Sequence, residues 1–275
     1  MRKLVFLAAL IGFCFNSLKA QQSKDEVLVE LNKKSEAYAS IAQNIWEFAE
    51  MGYLEEKSSA LLQKTMSDEG FTIKKGVAGI PTAFIAEYGS GAPIIAILGE
   101  YDALPGLSQK AVPERESADK AAGHGCGHHL FGTASAAAAI AVKDWMQASN
   151  TKGTIRFYGC PAEEGGSGKV YMVRDGLFND VDIALHWHPG AENEANAGAA
   201  LANKSAKFRF YGISAHAAGS PEKGRSALDG VEAMNVMVNM MREHIPEEAR
   251  IHYVITNGNY WCTTTIFSDK CGRNT

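Results

Sequence analysis

Ile94-Ile95-Ala96-Ile97-Leu98 is an apolar run with no polar break. A strand of that kind is covered on both faces, so the chain around it must supply a layer for each side. The neighbouring periods supply them. Val27, Leu31, Tyr38, Ile41, Ile45 and Phe48 recur at spacings of three, four and seven, which predicts a helix over 24–50. Glu55 to Glu69 reads as a second helix, closed by Gly70. Phe71 to Lys75, Thr82 to Tyr88 and Ile94 to Glu100 read as strands, with Gly, Pro and Ser between them. The Ala-rich stretch Gly132 to Trp145 is helical by propensity, and its small residues permit close packing on a sheet. Gly153 to Gly159 is another strand, Ser167 to Asp175 a short helix and Asp182 to Leu185 a strand. This alternation predicts a three-layer α/β fold.

From Asn203 the character changes. Lys204 to Tyr211 alternates like a strand, Ser226 to Glu243 is an amphipathic helix, and Ile251 to Thr256 is a strand, which reads as the start of a second domain. The residues after Gly258 have no clear period.

The first twenty residues read as a targeting segment. Arg2 and Lys3 form a positive start, Leu4 to Phe15 is apolar apart from Gly12 and Cys14, and Ala20 offers a small residue for cleavage. The run is too short to span a membrane. The expectation is an exported protein, periplasmic or secreted, with no membrane association after cleavage. The rest suits one large domain, or one with a smaller companion. The net charge of −4 gives no footprint for nucleic acid or an anionic membrane. Beyond the leader stand Cys126, Cys160, Cys262 and Cys271; Cys160 reads as a small buried residue at a strand end.

Cys126 belongs to a richer setting. Gly123-His124-Gly125-Cys126-Gly127-His128-His129 packs a thiol and three imidazoles into seven positions, and Ala162-Glu163-Glu164-Gly165-Gly166 places two adjacent carboxylates on a turn. Sulfur, nitrogen and oxygen donors together suit zinc, and the spare carboxylate favours an open hydrolytic site over a closed structural one. The chemistry-bearing residues also fall at the carboxyl ends of strands, where α/β sheets gather ligands: Asp102, then Glu163 and Glu164, then His186 and His188.

Six segments occur in one order: Gly99 to Gly106 (GEYDALPG), Gly123 to His128 (GHGCGH), Pro161 to Gly166 (PAEEGG), Trp187 to Gly190 (WHPG), Ser214 to Ala218 (SAHAA) and Gly224 to Asp229 (GRSALD). Over roughly Lys24 to Thr256 the chain resembles the zinc amidohydrolases of the aminoacylase and glutamate carboxypeptidase superfamily, in the branch of the p-aminobenzoyl-glutamate hydrolase type. The resemblance implies a zinc-exopeptidase-like catalytic domain over 21–202 and an inserted α+β dimerisation (lid) domain from 203. It further implies two zinc ions, with manganese as the alternative, a homodimer, and hydrolysis of an N-acyl amino acid, an aminobenzoyl-glutamate-like amide or a small peptide. Cys126, His128, Glu164 and His188 map onto metal ligands, with His186 the competitor for the last position. Glu163 maps onto the general base and Asp102 onto a residue that orients a ligand. His216 maps onto a histidine that reaches an active site across the dimer and helps hold the oxyanion. Arg225 is a candidate for a substrate carboxylate. His129 departs from the branch, which has Asn there.

Length is the main departure. The family's lid domain has four strands and two helices, after which the chain returns with a final His ligand. Here the lid is expected to be incomplete, with an aberrant tail over 258–275 that reads as an interrupted frame, so that hydrolysis by this chain is expected to be impaired. The alternative reading is a non-catalytic remnant that binds zinc or a ligand.

Overall fold

A computed structural model describes residues 23–195, 202–257 and 263–268; the leader read at 1–20, Cys262 and Cys271 lie outside them. The chain divides into two compact units, Met1–Glu192 and Asn193–Thr275.

In the first unit, Ser23 starts helix α1 (Lys24–Lys33) through a capping box: its hydroxyl accepts from the Glu26 amide, and the Glu26 carboxylate accepts from the Ser23 amide at 2.7 Å. The one helix expected over 24–50 is two. Lys34, at φ −96° and ψ 4°, separates α1 from α2 (Ser35–Phe48). The hydrophobic spacing runs through this break, so periodicity alone hides it. The Lys34 ammonium bonds Glu69 at 2.8 Å, tying the break to the end of α3 (Glu56–Asp68).

The sheet follows: β1 (Thr72–Lys75), β2 (Phe84–Ser90) and β3 (Ile94–Gly99), then a short ribbon of β4 (Leu104–Pro105) and β5 (Ala122–Gly123). Helix α4 (His128–Ser149), β6 (Gly153–Gly159), α5 (Gly168–Arg174) and β7 (Ile183–Leu185) complete the unit. The five-stranded order is β1-β2-β6-β3-β7; β2 pairs antiparallel with β1 and β6, and β3 pairs parallel with β6 and β7.

Side chains alternate across this mixed sheet. Phe84, Ala86, Ile97, Ile155 and Phe157 pack on one face with Ile45 of α2, Leu62 and Met66 of α3, and Ala136, Ala139 and Ile140 of α4. Ile85, Ala96 and Tyr158 face the other way, with Val77, Ile80 and Met172 of α5. The two cores make the unit three-layered, as the apolar run at β3 requires. Helix α4 lies close because residue 132 is glycine: a Cβ there would meet the Glu100 carbonyl oxygen at 2.4 Å.

The second unit contains β8 (Ala206–Tyr211), α6 (Ala227–Met241), β9 (Val254–Asn257) and β10 (Thr263–Ser268). The sheet order is β8-β10-β9, antiparallel throughout. The tail read as patternless therefore supplies the central strand. Thr263, Thr264, Thr265, Ile266 and Phe267 are strong strand formers. Three consecutive threonines do not alternate in polarity, which is why the period concealed them.

Candidate metal centre

Parallel β3, β6 and β7 bring their carboxyl ends to one edge of the sheet, and the residues after them meet there. Glu100 and Asp102 follow β3, Glu163 and Glu164 follow β6, and His186 and His188 follow β7. Cys126 and His128 arrive from the loop before α4. Gly127, in the left-handed region at φ 83°, turns the chain into that helix, so His128 occupies its first position.

His128 is the fully buried centre of the cluster. Its Nδ1 donates to Asp102 Oδ1 at 2.9 Å, which leaves Nε2 with the lone pair in the neutral ring. Nε2 faces Glu100 Oε2 at 3.0 Å, and Glu163 Oε2 and Glu164 Oε1 at 4.0 Å each. Cys126 Sγ lies 3.3 Å from His188 Nε2. His188 Nδ1 donates to the Pro189 carbonyl at 2.9 Å, so its Nε2 also carries a lone pair. One donor atom each from Cys126, His128 and His188 lies within 4.8 Å of the other two, and the same holds for Glu100, His128 and Glu163. The other oxygen of Asp102 accepts from the Glu164 amide at 2.8 Å, so this one carboxylate orients an imidazole and a turn.

Glu164 Oε1 is buried without a hydrogen-bond partner, and Glu100 Oε2 and His128 Nε2 face only each other, at 3.0 Å. Orphaned buried polar atoms are rare and point to a missing group. Here they converge, with a thiol and a second imidazole beside them, so the residues fit a divalent metal ion. Burial works against charge on His128, but Asp102, Cys126 and Glu100 outweigh it and push its pKa up to about 12. Burial raises the carboxyl of Glu163, reinforced by Glu100 and Glu164, and burial likewise raises that of Glu164.

Two participants were not read from the sequence. Glu100 joins the cluster through His128, and the Lys169 ammonium touches its other oxygen. Burial alone would raise Glu100, yet His128 and Lys169 hold it below the ordinary carboxylate range. The local signal was slight: an acid at a strand end and a lysine opening a short helix both suit solvent.

The remaining candidates have partners of their own. The His186 ring packs against Phe131, with centroids 5.4 Å apart. His124 is buried, bonds the Ile45 carbonyl at 3.0 Å, and groups with Trp46 and His129. Burial lowers the pKa of both His124 and His129 to about 4. Cys160 is fully buried and its thiol is pushed up to about 12. In the second unit, His216 Nδ1 accepts from the amides of Ala218 at 3.2 Å and Gly219 at 2.9 Å, so Nε2 carries the ring proton. Arg225, the candidate for a substrate carboxylate, donates through Nη1 to the carbonyls of Glu222 and Gly224.

A model of peptidase family M20/M25/M40 matches residues 96–263. A p-aminobenzoyl-glutamate hydrolase chain of Escherichia coli K12 is 53% identical over 222 residues, 80% of this chain and 46% of that protein. The Xaa-Arg dipeptidase of Mus musculus is 29% identical over 240 residues, 83% of this chain and 52% of that one. The chain thus spans about half the length of these relatives. Among solved structures, the aminobenzoyl-glutamate utilization protein of Klebsiella pneumoniae superposes with a TM-score of 0.60 at 17% identity, over 89% of this chain and 69% of that one. At that identity the likeness concerns the fold.

Proposed function

The chain belongs to peptidase family M20/M25/M40, and on that premise we propose that it forms the catalytic unit of a metal-dependent amidohydrolase. Its substrates would be N-acyl amino acids, an aminobenzoyl-glutamate-like amide or small peptides. The observation that carries this reading is the convergence of Cys126, His128, His188 and the two carboxylates of Glu163 and Glu164 on one sheet edge.

Cys126, His128, His188 and Glu164 would hold the metal. The thiolate and imidazoles favour zinc over manganese, and the carboxylates leave room for a second ion. A bound divalent ion supplies Lewis acidity to an amide carbonyl. Asp102 keeps His128 in the tautomer whose Nε2 faces the cluster. Glu163 stays out of the ligand set, takes the proton of the attacking water and returns it to the leaving amine. His216, with its proton on Nε2, is suited to donate to an oxyanion, and we assign it that role in the neighbouring copy of a homodimer. Residues 1–20 would direct export and be removed, which N-terminal sequencing of the secreted protein tests.

The test of the whole reading is hydrolysis of p-aminobenzoyl-glutamate by the zinc-loaded protein, with metal content measured beside it. In a chain extended to the full length of its relatives, Glu163→Gln is expected to keep its metal and lose about 100-fold or more in turnover, the scale of acid–base catalysis. Retained turnover would move the base elsewhere; zinc bound without turnover in the extended chain would favour a binding role.

A further inference from the structure

Glu55 has no local work to do where it stands. It occupies the N-cap position of α3, yet its side chain caps no amide of that helix. It is fully buried instead, and among the described residues no cation pairs with it. Oε1 accepts from the amide of Ala162 at 2.7 Å, and Oε2 accepts from the Thr82 hydroxyl at 3.0 Å. Burying a carboxylate is costly, so its two partners must be close and well aimed.

The partner amide sits at a demanding place. Ala162 precedes Glu163 and is held in the left-handed region at φ 56°, which a non-glycine residue adopts only when its surroundings compel it. Those surroundings are tight: a Cβ on Gly52 would meet the Cα and Cβ of Ala162 at 3.0 Å, and one on Gly166 would meet its Cβ at 2.7 Å. Two residues on, the Glu164 amide donates to Asp102 Oδ2. The turn that carries both glutamates is therefore gripped at each end by a buried carboxylate.

We propose that Glu55 is a positioning residue for the active centre, fixing the strained Ala162 and so the directions in which Glu163 and Glu164 leave the turn. The proposal rests on the reading of those two glutamates as base and ligand, but its geometric part does not need a metal. Thr82 anchors the other oxygen, and its carbonyl accepts from Ser59 Oγ and Tyr101 OH, both at 2.7 Å. The clamp is thereby built into the core rather than into the site.

Hydrogen exchange resolved at the Ala162 amide tests the clamp in the metal-free protein. Glu55→Met keeps the length and removes both acceptors; exchange should accelerate by about tenfold or more, the loss of one charge-assisted hydrogen bond. Glu55→Gln still offers a carbonyl oxygen to Ala162 and should restore slow exchange. Thr82→Val loosens only the far end, so it should lower thermal stability while leaving this amide protected. In the same set, zinc affinity should fall about 10- to 100-fold in Glu55→Met and be regained in Glu55→Gln. If Glu55→Met does not fold, Glu55→Asp, which is too short to reach, carries the same contrast. Unchanged exchange in Glu55→Met, or equal acceleration in Thr82→Val, would overturn the proposal. A native protein that binds no zinc but shows the exchange pattern would instead overturn the metal reading and leave the clamp standing.

Discussion

His128 divides its two ring nitrogens between two duties: Nδ1 bonds Asp102 and Nε2 faces three carboxylates. Asp102→Asn preserves an acceptor for one of its partners but cannot accept from both the His128 ring and the Glu164 amide. Its zinc affinity, read by competition with a chromophoric chelator, should fall about 10- to 100-fold. His188→Ala should weaken binding sharply and His186→Ala should leave it nearly unchanged, because only His188 lies beside Cys126. Equal effects of the two would remove His188 from the ligand set. Cys126, His128, Glu163 and Glu164 could be picked out of the sequence because thiol, imidazole and paired carboxylate are scarce in combination. Glu100, Lys169 and Glu55 could not, since their types are common on surfaces and only tertiary pairing gives them a place in the core.

Helix α4 turns the small residues read from the sequence into close packing on β3. Gly132→Ala would drive a methyl against the backbone of Glu100, where the neighbour is a carbonyl rather than a flexible chain. Overpacking of that kind costs about 1–3 kcal/mol, measurable by urea denaturation, and here it should also displace Glu100 from His128. Phe157→Ala, at the middle of the sheet and fully buried, should cost about 3–5 kcal/mol. Apolar runs and helical spacing revealed most helices and strands of the first unit, because one-dimensional periods reflect burial. They could not reveal the break at Lys34, which keeps the helical spacing, nor the order β1-β2-β6-β3-β7, which depends on pairing between distant segments. The strand at Thr263–Ser268 escaped because its run of threonines shows propensity without alternation.

The two units, Met1–Glu192 and Asn193–Thr275, each carry their own sheet, and the candidate ligands Cys126, His128, Glu164 and His188 all belong to the first. Metal binding should therefore stabilise that unit: at a free zinc concentration roughly 100 times Kd, linkage adds about 2.7 kcal/mol, seen as a higher Tm that a chelator reverses. The central claim is that this edge of the sheet is a mixed sulfur, nitrogen and oxygen metal centre. Zinc-edge X-ray absorption of the loaded protein addresses it without relying on turnover. The expected spectrum has one sulfur at about 2.3 Å with nitrogen and oxygen neighbours at about 2.0–2.2 Å. Cys126→Ala should lose the sulfur and keep the imidazole signature. A native spectrum of oxygen and nitrogen alone, or one that Cys126→Ala leaves unaltered, would contradict the assigned centre.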